Sequence, residues 1–557
     1  MQEFPWLKFY PEGIPSTINP DKYSSMVDLF EECCSRYSDQ VAYHSMGKDI
    51  GYTDLNNMSS YFAAYLQNTL GLKKGDRIAI QMPNLIQYPI ALFGSLKAGL
   101  IVVNTNPLYT PREMEHQFKD SGAVAIVILA NFAHNLEKIL KKTNIKHIIL
   151  TEIGDMLSPV KKFIVNLVVK KVKKMVPDFN LPETIGFNLV LNKGKNLTYK
   201  KPELKNHDVA FLQYTGGTTG ISKGAILTHR NMVANMEQIS AWMTARLKER
   251  EETVITALPL YHIFALTVNC MAMLKIGAKN VLILNPRDLP AFIKELKKHP
   301  FSVITGVNTL FNALLNQPDF SNVDFQYLKV STGGGMAVQK VVARRWQETT
   351  GVPLTEGYGL TETAPVLSAN PIDGTERIGT IGTPLPSTEM AIMDDDGNRF
   401  PNGEPGEIFA RGPQVMPGYW NRPDETAKVF YHDWFKTGDI GIMNNDGFFT
   451  IVDRKKDMIN VSGFNVYPNE IEDVLSEHPK VLEVAAIGVP DARSTEVVKV
   501  FIVKRDKDLT EEEIKAFCKE NLTNYKLPKY VEFREELPKS NVGKILRKEL
   551  RDPVKAT

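Results

Sequence analysis

Short apolar runs rich in β-branched residues recur at residues 77–81, 100–104, 124–129, 147–150, 254–257, 281–284 and 303–306, and amphipathic stretches separate them. Strands alternating with helices predict an α/β fold in which largely parallel sheets are packed with helices. Beyond about residue 375 the texture changes to closely spaced turns, Asp396-Gly397, Asn402-Gly403 and Asp446-Gly447, which predict hairpins in a β-rich lobe over about 375–452. A charged stretch, Asp453-Arg454-Lys455-Lys456-Asp457, then precedes the run Met458-Ile459-Asn460-Val461, and strand and helix patterns return up to about Leu550. The expected organisation is a large N-terminal body over 1–452, a hinge at 453–457 and a small α+β C-terminal domain over 458–557.

Residues 158–177 depart from these patterns. They hold six lysines and no acid, interleaved with apolar residues from Phe163 to Val176. On a helix at about 100° per residue, Ile164, Val165, Val168, Val169, Val172, Met175 and Val176 share one arc, with Lys162, Lys170, Lys173 and Lys174 opposite. Two readings stay open: a helix docked on the core with a solvated lysine face, or one lying on a membrane surface. No window reaches the ~18 uninterrupted apolar residues of a spanning helix, and the N-terminus lacks the apolar segment of a signal peptide. The expected location is the cytoplasm, peripheral on the inner face of the cytoplasmic membrane if this helix binds lipid.

Composition narrows the class further. With 43% hydrophobic and 23% charged residues over 557 positions, the chain can bury large cores in two or three domains. A net charge of +2 excludes a general affinity for nucleic acid. Cys33, Cys34, Cys270 and Cys518 show neither metal-ligand spacing nor a disulfide framework, so buried thiols in a reducing compartment are expected. A homodimer stays open.

The densest run of glycines and hydroxyls is Tyr214-Thr215-Gly216-Gly217-Thr218-Thr219-Gly220-Ile221-Ser222-Lys223-Gly224. Glycines let backbone approach an anion, and N–H groups, hydroxyls and a lysine donate to it. Yet a P-loop needs four residues between its first glycine and a Gly-Lys-Ser/Thr end, and here Lys223 is followed by Gly224. Four further clusters accompany the run: Pro259-Leu260-Tyr261-His262; Gly333-Gly334-Gly335 with residues 356–363; residues 435–439 with Asp453-Arg454; and residues 538–544, ending in Lys544.

In this order the five clusters resemble the adenylate-forming superfamily of acyl-CoA synthetases, luciferases and peptide-synthetase adenylation domains, over about residues 25–550. Residues 214–225 are similar to its AMP-binding signature and residues 434–463 to the signature of its fatty-acyl-CoA synthetases, so the long-chain fatty-acid branch is the nearest. The resemblance implies ATP, Mg²⁺ and coenzyme A, and a long-chain fatty acid as the acyl substrate. The loop Tyr214, Thr215, Gly216, Gly217, Thr218, Thr219, Gly220 and Lys223 would hold the β- and γ-phosphates, with Thr215 and Glu362 as Mg²⁺ ligands. Lys544 would join fatty-acid carboxylate and α-phosphate, an ammonium suiting both anions. Asp439 would accept from the ribose hydroxyls, with Arg454 beside it. Adenine would lie against Tyr358, bordered by Gly334 and Gly335, with Glu356 and Gly357 in the same cluster and Thr361 at the α-phosphate. His262 would line the acyl tunnel, a satisfied core histidine being the alternative.

The second half-reaction would require the C-terminal domain to be mobile, turning about Lys456 to withdraw Lys544 and bring Ser462 and Gly463 to the pantetheine channel. Lys526 reads equally as a CoA-phosphate contact or as an exposed structural lysine. Rival readings are a fatty-acyl-AMP ligase that stops at the adenylate, a peptide-synthetase adenylation domain, and a catalytically silent membrane-associated fatty-acid-binding protein. The presence of Lys544, Glu362, Asp439 and Arg454 together argues against the last.

Overall fold

The structure is a computed structural model that describes residues 4–215, 222–491, 493–540 and 542–551. One seven-stranded sheet runs in the order Thr184–Gly186, His147–Thr151, Ala125–Leu129, Arg77–Gln81, Ile101–Asn104, Val209–Thr215 and Lys223–Thr228. Every pairing in it is parallel except the last. A nine-stranded sheet has six parallel strands, Leu354–Gly359, Val330–Gly333, Val303–Gly306, Thr253–Thr256, Lys279–Leu282 and Val41–Ser45, with antiparallel strands at both edges. Helices cover these sheets, so a strand such as Ala125–Leu129 is buried along its whole length. Burial on both faces is why continuous apolar runs, rather than alternating ones, mark the strands.

All seven expected runs are strands. The run expected at 281–284 begins two residues early, as Lys279–Leu282, because Lys279 already pairs with Thr253. The β-rich lobe is a five-stranded antiparallel sheet of Glu389–Met393, Gly406–Arg411, Phe430–Tyr431, Trp434–Met443 and Phe449–Arg454. Gly397, Gly403 and Gly447 all take positive φ at its turns.

Beyond it, Ile459–Val461, Phe464–Val466, Val481–Asp491, Thr495–Lys504 and Tyr530–Arg534 form a separate sheet. Its two faces alternate along the strands: Val484 and Ala486 pack under helices Pro468–Ser476 and Glu511–Asn521, while Ala485 and Ile487 meet Leu537 and Leu550. All four cysteines are free and buried.

The basic segment departs from the expected wheel. A helix over Pro159–Leu167 continues as a π turn over Val168–Val172, which lowers the angle per residue below ~100°, and Lys174 takes positive φ and breaks the run. Val165, Val168, Val169 and Val176 are half-buried, but Val160, Phe163, Ile164 and Leu167, at i, i+3, i+4 and i+7, are 72%, 68%, 51% and 45% exposed. Lys162 is not opposite the apolar arc but ion-paired to Asp155 at 2.8 Å. The segment is therefore anchored by one side and leaves an apolar stripe outward, flanked by Lys161, Lys170, Lys171 and Lys173. No helix among the described residues is long and apolar enough to cross a membrane.

Candidate active site

Three strand ends and one loop of the C-terminal sheet converge on a single cleft. The first contributor is the hairpin of Val209–Thr215 and Lys223–Thr228, whose register puts Thr215 opposite Lys223 and so closes the base of the glycine-rich run. Gly216, Gly217, Thr218, Thr219 and Gly220 lie outside the described residues. Tyr214 does not turn its side chain to the cleft: its hydroxyl donates to Asp120 at 2.7 Å and its ring covers Gly224, so its part there is confined to backbone.

The turn Thr361–Thr363 packs against both strands of this hairpin. It carries Glu362, a buried carboxylate that accepts from the Tyr419 hydroxyl at 2.7 Å. Burial pushes its pKa up, and the Tyr419 hydroxyl opposes that shift. Among the described residues Tyr419 is its one side-chain hydrogen-bond donor. Tyr419 reaches it because residues 418–420 run along the outer edge of Lys223–Thr228, with Trp420 N–H donating to Gly224 O at 2.8 Å. Lys223 stands 4.9 Å over the Tyr419 ring and pairs with Glu425 at 2.7 Å.

The strand Leu354–Gly359 supplies Glu356, Gly357 and Tyr358. The Tyr358 hydroxyl donates to Asp439 Oδ2 at 2.7 Å, and Asp439 stands opposite Arg454 across the antiparallel pair, its Oδ1 3.5 Å from Arg454 Nε. Burial raises the Asp439 carboxyl above its usual range, against the pull of Arg454. Glu356 is buried deeper in the wall and accepts from Val338 N–H at 3.0 Å; burial pushes it up to about 8. Through that bond it holds the turn after Gly335 in place.

Lys544 enters from the C-terminal sheet on a hairpin closed by Ser540 N–H donating to Lys544 O at 2.7 Å. The hairpin touches the body where Thr309 donates to Gly543 O at 2.9 Å. The Lys544 side chain lies against Gly335, where an added Cβ would come within 3.1 Å of its Cε; Gly335 also has φ +78°. Burial lowers the ammonium to about 8, with Arg454 adding to the shift and Asp439 and Glu362 opposing it. His262 keeps partial solvent exposure, and burial of its ring together with Lys544 drives it down to about 3, so it is neutral at pH 7. Its Nδ1 accepts from Phe264 N–H at 3.4 Å.

Lys544, His262, Asp439, Arg454, Glu362, Tyr358, Thr361, Gly334 and Gly335 are thus brought to one cleft with Thr215 and Lys223 at its rim. Ser462 and Gly463 are not. They form an exposed turn with φ of 52° and 90° between Ile459–Val461 and Phe464–Val466, hydrogen-bonded within the C-terminal sheet. Lys526, on the turn Asn524–Lys526, pairs with Glu470 of helix Pro468–Ser476 at 2.5 Å. Lys456 is exposed on the turn after Arg454. Tyr419 and Glu425 were missed from sequence, because a lone aromatic and a helix-start glutamate have no spacing that marks them.

A glycine-walled cleft with Lys223, Arg454 and the incoming Lys544 ammonium can hold a polyanion and neutralise charge where two anions meet. The chain matches the family model described as AMP-binding enzyme over residues 30–420, and that of the AMP-binding enzyme C-terminal domain over 470–544. It is 60% identical over 547 residues to a long-chain-fatty-acid–CoA ligase of Escherichia coli O6:H1, with 98% of each chain covered. A protein of the same name from Bacillus subtilis is 39% identical over 551 residues, with 98% and 97% covered. Among solved structures, ATP-bound MatB from Rhodopseudomonas palustris has a TM-score of 0.80 at 26% identity, covering 94% of this chain and 98% of that one. The anthranilate CoA ligase AuaEII with anthranoyl-AMP shares the fold at a TM-score of 0.84 and 24% identity, with 96% and 98% covered.

Proposed function

The chain belongs to the AMP-binding enzyme family, and on that premise we propose that it joins long-chain fatty acids to coenzyme A in two steps. ATP and the fatty acid first form an acyl-adenylate and pyrophosphate; the CoA thiol then displaces AMP. The observation that carries this reading is the seat of Lys544 against Gly335, in the field of Asp439 and Glu362.

A carboxylate attacking a phosphate is a meeting of two anions. Lys544, still largely protonated at pH 7, donates to both and holds them in attacking geometry. Asp439 takes the ribose hydroxyls, a carboxylate being acceptor only, and Tyr358 orients it through the 2.7 Å bond while offering its ring to adenine. Lys223 grips the departing phosphates with the neighbouring loop. Neutral His262 lines the acyl entrance beside Lys544 without adding a second cation there.

Glu362 and Thr215 would provide the hard oxygen donors Mg²⁺ prefers, and a buried carboxylate with Tyr419 as its one side-chain donor among the described residues fits that role. Bound there, the ion would neutralise phosphate charge. For the second step the C-terminal domain turns about Lys456, removing Lys544 and bringing Ser462 and Gly463 to the thiol. The direct test is pyrophosphate release against a panel of short, long and aromatic carboxylates, with and without CoA. Long-chain acids should be strongly preferred and their CoA esters should accumulate. Adenylate without ester would favour an acyl-AMP ligase.

The outward stripe of Val160, Phe163, Ile164 and Leu167 with its flanking lysines supports docking on an anionic lipid surface, which would present poorly soluble acids. Co-sedimentation with anionic vesicles should be lost when Val160, Phe163 and Leu167 become serine; equal binding by that variant would refute it.

A further inference from the structure

Lys544 is carried by a hairpin, and the hairpin is tied down three residues later. Arg547 donates to Glu472 Oε2 at 2.8 Å and to Asn469 Oδ1 at 2.6 Å, both on helix Pro468–Ser476, and lies 3.7 Å from Asp457. These partners belong to the C-terminal side of Lys456. A fourth does not: Arg547 Nη1 also donates to Asp453 Oδ1 at 3.3 Å. Asp453 pairs with Ile440 in the sheet of the body, so this contact crosses the hinge.

The Asp453 side chain is 0% exposed. Its remaining partners are Arg454 N–H at 2.7 Å and Asn469 N–H at 2.8 Å, and Asn469 Nδ2 donates to Val452 O at 3.1 Å. A buried carboxylate needs a cation or several donors to stay ionised. Turning the domain about Lys456 would carry Arg547 and Asn469 away together and leave Asp453 with only the Arg454 N–H. Glu472 and Asp457 would travel with Arg547 and keep it.

We propose that Asp453 and Arg547 form a latch across the hinge that positions Lys544 for the first half-reaction and has to open for the second, with neither residue touching substrate. This rests on the two-step reading above. Breaking the latch shifts the domain away from the Lys544-in arrangement, so it slows one half-reaction and spares the other.

The test compares Asp453→Asn, which keeps shape and the Asn469 contact, with Arg547→Lys and the double variant, using full-length protein. Adenylation, followed by pyrophosphate release, should lose roughly tenfold in kcat, with KM for ATP and fatty acid changed less than about twofold. Thioester formation from supplied acyl-adenylate should be at least as fast as in wild type. The double variant should be no worse than the poorer single, as residues sharing one contact require. Trypsin should cut more readily after Arg454, Lys455 or Lys456. Unchanged adenylation, or an equal loss in both half-reactions with native-like melting, would overturn the latch alone. A wild type that releases no pyrophosphate with any fatty acid would overturn the two-step reading and the latch with it.

Discussion

The wall of the cleft and the loop that brings Lys544 to it are built to different standards. In the wall backbone segments nearly touch: a Cβ on Gly359 would lie 1.8 Å from Pro365 O, and one on Gly334 would lie 2.9 Å from the Phe264 ring. Close packing of this kind leaves no second arrangement within reach. The Lys544 hairpin, by contrast, meets the body through Thr309 to Gly543 O, with Asn312 to Leu482 O at 3.3 Å nearby. Two such bonds in water are worth roughly 1 kcal/mol each, so the contact is reversible. On the proposed mechanism the fixed wall would bind the nucleotide for both half-reactions and the removable lysine would serve one.

The largest effect should come from breaking the wall. Glu362→Gln removes the carboxylate proposed to hold Mg²⁺ and should lower adenylation roughly 100-fold or more. Tyr419→Phe leaves that carboxylate but removes its 2.7 Å donor, and adenylation should fall roughly tenfold. Pyrophosphate release at limiting substrate measures both. A smaller effect separates the regions by pH. Lys544 is charged below about 8 and neutral above it. The kcat/KM for adenylation should therefore decline above pH 8, approaching tenfold per unit, while thioester formation from supplied adenylate lacks that limb.

Much of the fold was legible in the sequence because the strands of its two large sheets are buried on both faces, which writes uninterrupted runs such as residues 125–129 and 303–306. The glycine clusters and Asp439 could be singled out by type and order. What was not legible depends on distant segments meeting. Nothing around Tyr419 announces that residues 418–420 lie against Lys223–Thr228, and nothing at Tyr214 announces Asp120. The wheel drawn for residues 158–177 failed for a local reason, the π turn at Val168–Val172, which breaks the 100° step. Asp453 read as one charge in a hinge, and its burial depends on Arg547 and Asn469, which only the fold brings to it.

The central claim is that Lys544 acts in the first half-reaction and is withdrawn for the second. Lys544→Ala, assayed in each half-reaction separately, tests it most directly. Pyrophosphate release from ATP and fatty acid should fall roughly 100-fold or more, while CoA-ester formation from supplied acyl-adenylate stays within about threefold of wild type. Equal losses in the two half-reactions would contradict the account.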